Sequence, residues 1–492
     1  MNETTRTEKE GEESGVSKDG LSSLHTSGQL LIPTRGKRQT LASVRVSFGG
    51  YLSAAFVLTF AAFILIQAER DAAALALLCC AWLILPVFAF LERVKFDGQT
   101  LFRSGLVALL HKRLTKQALE LKIDDIERIE TNAVRTLRRG GRVRYRYRSE
   151  VSGNDLRFAF ASGGKQYRLM ARHLFSLVGD DKLDARTTEL RDYVVDKKTL
   201  NEAHRALRVA TDEVLENAVE DFTHTGKNSA QQRRRLTVHE HASPDDVERG
   251  HLLRRAGNEL RIAGRLREAA EAFRRALLVD SRDASLIYEW ARLLRSQASA
   301  KRDARLLARS RAGLWLAAKR SGNDAALLSR IGESFLEAGD IRRATHAFRR
   351  ALQNEDAHIY RAELGLADIA LRTGKLAHVV HHYGGASRVA KDRAAERFAL
   401  READYYARLN SDDHYLALEL RRINWLQHLQ RARSIAARLT FTGIGLAVIG
   451  ANIDEAIRVT GWSLASSALL AWLCAIFAEK FFTHRRAAHH AE

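Results

Sequence analysis

Residues 256–280 read AGNELRIAGRLREAAEAFRRALLVD, and residues 331–355 read IGESFLEAGDIRRATHAFRRALQNE. Gly257, Leu260, Gly264, Ala269, Phe273, Ala276 and Leu277 in the first stretch recur as Gly332, Phe335, Gly339, Ala344, Phe348, Ala351 and Leu352 in the second, at the same internal spacing. Small residues such as Gly257 and Ala269 let two helices cross closely, and Phe273 fills the gap between neighbouring units. Gly264 takes a turn that would strain a residue with a Cβ. The pattern predicts stacked pairs of antiparallel helices.

This pattern resembles the tetratricopeptide repeat family. The turn glycines Gly264 and Gly339 are separated by two repeat lengths of roughly 34 residues plus a few inserted residues. A degenerate unit is therefore expected over Ala284 to Gly322, carrying Ile287, Trp290, Leu294 and Trp315, and a fourth in LADIALRTGKLAHVVHHY, with Gly374 at the turn and Tyr383 at the bulky position. Ser243-Pro244-Asp245-Asp246 gives the first helix an N-cap, a proline at the first helical position and acids in the first turn. The pattern departs from the family in one respect, since Ser281 and Asp356 stand where a closing proline is usual. The resemblance implies a concave groove formed by the first helix of each repeat and open to a protein partner. Candidate groove residues are Asn258, Arg261, Glu289, Arg292, Glu333 and Glu337.

Four apolar runs flank this region: Phe48 to Ala68, Ala72 to Leu91, Ile435 to Ile453 and Val459 to Phe477. Each approaches the ~20 residues that cross a hydrocarbon core. The short connection between the first two demands a tight hairpin, and Pro86 is a possible kink. Small residues at Gly443, Ala447, Ala451 and at Ser463, Ser467, Ala471, Ala475 predict close packing of the last two. The net charge is +20. Basic residues flank both hairpins, with Arg35, Lys37, Arg38, Arg45, Arg93, Lys95 and Arg103 around the first and Arg431, Arg433, Lys480, Arg485 and Arg486 around the second. The positive-inside rule then places both termini and the middle of the chain in the cytoplasm, against a bacterial inner membrane. The continuous run from Tyr415 into the third span is expected to couple the repeats rigidly to the membrane.

From Val94 the period becomes that of strands. VKFDGQTLFR reads as a hairpin around Asp97-Gly98, and VRYRYRSEV, LRFAFAS and KQYRLMA read as three further strands. With Ile123, Ile126 and Ile129 in an I-x-x-I-x-x-I segment, the region resembles the bacterial pleckstrin-homology-like domains that follow a two-span hairpin.

The fold class expected is mainly α: a tetratricopeptide-like solenoid, two transmembrane helical hairpins and a small antiparallel β domain. The divisions are a disordered tail over 1–46, a membrane hairpin over 47–92, the β domain over 93–178, a helical and polar linker over 179–242, the solenoid over 243–432, a second hairpin over 433–480 and a basic tail over 481–492.

Chemistry is sparse. Cys79, Cys80 and Cys474 all fall in apolar runs, so no disulfide framework is expected. His378, His381 and His382 share one helical stripe but have no acidic or cysteine ligand near them in sequence, and His239-Glu240-His241 lacks the second histidine of a zinc-protease motif. No phosphate loop, nucleophile elbow or dinucleotide fingerprint is present. The reading is a non-enzyme without cofactor or metal. The basic run around Arg138, Arg139, Arg142, Arg144, Arg146 and Arg148 points first to anionic membrane lipid, with an unliganded strand face second and nucleic acid last. The function expected is a membrane-anchored adaptor for a protein partner. The alternative is a structural or lipid-organising membrane protein acting through self-association and anionic-lipid contact.

Overall fold

The computed structural model describes residues 40–46, 49–115, 118–137, 143–162, 164–211, 214–215, 244–353 and 359–483. The chain is mainly helical, with one small antiparallel β domain.

The β domain begins before the first apolar run. Strand β1 (Ala42–Arg45) pairs antiparallel with β2 (Arg93–Phe96), with Val44 opposite Val94 and Ala42 opposite Phe96. Between them lie α1 (Gly49–Gln67) and α2 (Asp71–Leu91). The apolar helical hairpin is thus an insertion between the first two strands. Part of the segment expected to be a tail is therefore a core strand, because Ala42 and Val44 turn inward while Arg45 stays exposed. Strands β3 (Thr100–Ser104) and β4 (Glu120–Lys122) complete the first sheet in sequential order, with α3 (Leu106–Thr115) between them. The Asp97 carboxylate accepts from the amides of Gln99 and Thr100 at 3.0 and 2.6 Å, which closes the turn expected there.

A second sheet runs β5 (Arg128–Leu137), β6 (Val143–Gly153), β7 (Leu156–Ala161). Helix α4 (Lys165–Leu177) closes the domain where a strand was expected from KQYRLMA. Tyr167, Met170, Ala171, Leu174 and Phe175 are all buried, and their spacing is helical. The period-two reading of Tyr167 and Leu169 stopped one turn too early. Phe96, Leu101, Ile126, Ile129 and Phe160 fill the core between the sheets.

The expected linker begins with packed structure. Helices α5 (Ala185–Tyr193) and α6 (Lys197–Ala206) lie within it, and most of the remainder is outside the described residues.

Four helix pairs follow: α7 (Pro244–Ile262) with α8 (Leu266–Val279), α9 (Ala284–Lys301) with α10 (Ala304–Arg320), α11 (Ala325–Glu337) with α12 (Ile341–Leu352), and α13 (Ile359–Arg372) with α14 (Leu376–Val389). Helix α15 (Arg393–Ser411) ends the array. The turns of three pairs carry Gly264, Gly339 and Gly374 at φ +84, +76 and +71, the left-handed region that glycine enters without strain. A Cβ on Gly332 would stand 2.6 Å from the Phe348 ring, and one on Gly257 would stand 2.9 Å from Phe273. Aspartates cap several of these helices; Asp324, for example, accepts from the Leu327 amide at 2.9 Å.

Helix α16 (Asp413–Ile453) runs without a break from the array into an apolar stretch and turns back as α17 (Glu455–Thr483). Among the described residues, three helices are long and apolar enough to cross a membrane: Asp71–Leu91, Asp413–Ile453 and Glu455–Glu479. Helix α1 contributes a shorter apolar stretch, Ala54–Ile66. Gly443 packs against the backbone of Ala465, at a separation that leaves a Cβ only 2.6 Å from its amide nitrogen, and Gly461 packs against Ala447. The packed stripe of the last helix is Gly461, Ala465, Ala468 and Ala475; Ser463, Ser467 and Ala471 are exposed, as is Ala451 on its partner. The serines and Ala471 keep the expected spacing of four but start two residues out of phase. The two hairpins touch where the rings of Phe63 and Trp462 lie 5.0 Å apart.

Candidate functional site

Helices α7, α9, α11 and α13, the first members of the four pairs, present one continuous polar face. Asn258, Arg261, Glu289, Arg292, Glu333 and Glu337 all lie on it. Its first part is covered, while Glu333 and Glu337 line a cavity further along. Asn258, Arg261, Glu289 and Arg292 are buried, and what buries them is α5, a segment of the same chain.

Helix α5 starts at Asp184, whose carboxylate accepts from the amides of Thr187 at 2.9 Å and Thr131 at 3.2 Å. One side of α5 belongs to the β domain. Leu183 and Leu190 enter its core. Thr187, Thr131, Ser149 and Tyr167 form a chain of hydroxyls spaced 2.8, 2.8 and 2.9 Å apart. All four are buried, and each hydroxyl satisfies the next.

The other side of α5 meets the helix pairs. The Glu189 carboxylate accepts from Arg261 Nη2 at 2.8 Å and lies 2.7 Å from Arg292 Nη1, so one carboxylate bridges arginines from two successive pairs. Burial alone would raise the Glu189 pKa. Arg261 and Arg292 outweigh it and hold the carboxyl below its ordinary range. Tyr193 donates to Glu289 at 2.9 Å, and Arg254, 3.5 Å from Glu289, also bonds Asp283 at 3.0 Å. Burial raises the Glu289 carboxyl despite Arg254. Further along, Arg186 approaches Glu337 at 3.9 Å and Asp192 approaches Arg330 at 4.0 Å, while Glu333 is taken by Arg361.

Other contacts tie the β domain to both ends of the array. Tyr147 donates to the Ile262 carbonyl at 2.9 Å, and the Val143 carbonyl lies so close to Gly264 that no Cβ would fit. At the far end Arg401 bonds Glu127 at 2.7 Å, Arg397 bonds Asp125 at 3.2 Å, and Lys182 bonds Asp392 at 3.1 Å.

Beyond the N-terminal end of α5 the face opens into a cavity of about 310 Å³. Its walls combine Arg128, Arg361 and Arg372 with Tyr360, Leu371 and Phe398. That size accepts a few side chains or a small ligand.

Of the arginines read as lipid contacts, Arg138, Arg139 and Arg142 lie outside the described residues. Arg144, Arg146 and Arg148 are exposed on one face of β6. Tyr145 and Tyr147, interleaved with them in sequence, turn the other way and pack against the first helix pair. The rings that could stack on bases therefore point inward. His382 Nδ1 lies 2.7 Å from Glu363 Oε2, and among the described residues no group of three His, Cys, Asp or Glu is gathered for a metal ion.

Sequence reasoning missed Glu189, Asp184, Tyr193 and Arg254. Helix α5 is covered on two sides, by a hydrophobic core on one and by ion pairs on the other, so it carries no single apolar stripe to reveal it. The nearest signal is the pairing of Asp184 with Thr187 at the N-cap and N3 positions. No family model matches this chain, and no curated protein matches it.

Proposed function

We propose that this chain is a membrane-anchored, non-enzymatic scaffold: a tetratricopeptide-like adaptor that holds a protein partner at the cytoplasmic face of a bacterial inner membrane, with four spans and both termini inside. Three long apolar helices, stacked helix pairs and the unbroken Asp413–Ile453 helix support the membrane-anchored scaffold reading. A four-stranded and a three-stranded sheet closed by one helix support the pleckstrin-homology-like reading of the β domain.

The observation that carries the proposal is the uneven filling of the concave face. One part is sealed by α5, and the part around Tyr360, Leu371 and Arg372 stays open. The partner site is therefore the open cavity, which Glu333 and Glu337 of the six groove residues line, while Asn258, Arg261, Glu289 and Arg292 lie under α5. Mixed charge with aromatic and aliphatic walls suits a short peptide segment anchored by one apolar side chain.

The test uses the full chain in its own cell with a photo-crosslinking residue at Leu371 in the cavity or at Trp315, exposed on α10. The expected result is a discrete protein adduct from position 371, absent from 315 and lost with Arg372→Glu, since Arg372 is half exposed and tolerates change. No adduct at 371, or the same adduct at both positions, would reject it.

A second reading, lipid organisation with self-association, is favoured by the exposed row of Arg144, Arg146 and Arg148. A mass for the solubilised chain that rises with concentration would favour it.

A further inference from the structure

The helix α3, Leu106–Thr115, interrupts the first sheet between β3 and β4, and the two leucines at its middle lie bare. Leu109 is 65% exposed and Leu110 is 50% exposed. Lys112 and Arg113 follow in the last turn and are also exposed. An apolar patch beside a basic end is the composition of a helix that lies in a membrane interface.

Its position makes the assignment specific. Strand register sets Ser104 opposite Arg93, which comes two residues after the end of α2. Gly105, immediately before the helix, presses against Glu92; a Cβ there would collide with the Glu92 carboxylate and stand 3.0 Å from its Cα. Glu92 is fully buried, accepting from Tyr51 Oη at 2.7 Å and from Arg103 Nε. Leu106 therefore starts at the collar where the second apolar helix ends, and Phe90 and Leu91 at that collar are themselves 50% and 58% exposed.

We infer that α3 is a membrane-interface helix: Leu109 and Leu110 enter the leaflet that receives the end of α2, and Lys112 and Arg113 meet anionic headgroups. The inference rests on the reading that α2 crosses a membrane. Continuity with the apolar collar and the sign of the last turn both identify lipid as the occupant. Such a helix sinks its apolar face about 5–10 Å into the headgroup and acyl boundary. It would fix the tilt of the β domain over the bilayer through a contact separate from the arginines of β6.

The experiment reconstitutes the full chain in nanodiscs of phosphatidylcholine and phosphatidylglycerol. Cys79, Cys80 and Cys474 are replaced by alanine, and one bimane-labelled cysteine is introduced through Leu109→Cys, Leu83→Cys or Gln99→Cys. Leu83 is exposed in the middle of α2, and Gln99 lies at the opposite end of the β2–β3 pair from Ser104. Lipid spin-labelled near the headgroup should remove most of the fluorescence at 109 and spare 99, while lipid labelled deep in the acyl chain should quench 83. Quenching at 83 without quenching at 109 overturns the interface helix and leaves the span standing; no quenching at 83 overturns both.

Hydrogen exchange on the unmodified chain gives a second readout that needs no cysteine replacement. Amides of 106–113 should exchange more slowly in the anionic nanodisc than in pure phosphatidylcholine, and combining Leu109→Glu with Leu110→Glu should abolish the difference. Equal exchange in both lipids, or protection that follows protein concentration instead of lipid, would overturn the proposal.

Discussion

Glu189 of the short helix and Arg292 of the second helix pair meet at 2.7 Å in a site that both the β domain and the array shield from water. The chain supplies both halves of this contact, so this part of the helical face is an internal joint.

Removing the carboxylate should loosen that joint. Glu189→Ala strands Arg261 and Arg292 without their shared acceptor, and breaking a buried pair from one side costs about 3–5 kcal/mol. Denaturant unfolding of the solubilised chain should show that loss, and limited proteolysis should cut within 180–206 first. A variant as stable and as resistant as the native chain would mean that the joint is held elsewhere.

The pH dependence has a definite sign. The folded Glu189 carboxyl sits below its ordinary range, so the unfolded chain binds the proton more readily and stability falls as pH drops. The contribution is complete above the unfolded value near 4.3 and disappears as pH falls through the lower folded value. The stability gap between the native chain and Glu189→Gln should therefore narrow only in acid below about pH 4. Glu289, raised by burial, acts in the opposite direction, so Glu289→Gln should gain on the native chain as pH rises.

Glycines in the array should divide by what faces them. Gly332→Ala puts a methyl 2.6 Å from the Phe348 ring, and overpacking of that kind costs about 1–3 kcal/mol. Gly384 is helical with open space around it, so Gly384→Ala should instead stabilise by about 0.5–1 kcal/mol. Thermal unfolding of the two variants side by side should move in opposite directions.

The same comparison applies to the C-terminal apolar hairpin. Gly443→Ala forces α16 away from the Ala465 backbone, while Gly445→Ala meets open space. The first should weaken pairing of the last two helices, read as a lower melting point in detergent; the second should not lower it.

The sequence made the helix pairs legible because Gly257 and Phe273 are coupled by size, and that coupling repeats at Gly332 and Phe348. The apolar helices were equally plain. Strand β1 was hidden because four residues before an apolar run carry no signal of a partner that lies beyond two helices. The last helix of the β domain was hidden because Tyr167-Arg168-Leu169 alternate as a strand would, and the longer period shows only when Met170, Ala171, Leu174 and Phe175 are read together. The site was only half legible. Arg261 and Arg292 stood out as polar positions on first helices, but their acceptor lies on α5, whose sequence shows no apolar side because both of its sides are covered.

The pairing of Ala42–Arg45 with Arg93–Phe96 also orders events during synthesis. The first strand leaves the ribosome long before its partner and cannot pair until both intervening helices have been made. If only one of them inserts, the two strands are stranded on opposite sides and the sheet never closes. On the proposal that both helices cross a membrane, closure of the β domain requires that both have entered it, and a chain with one helix inserted would leave Val44, Val94 and Phe96 uncovered.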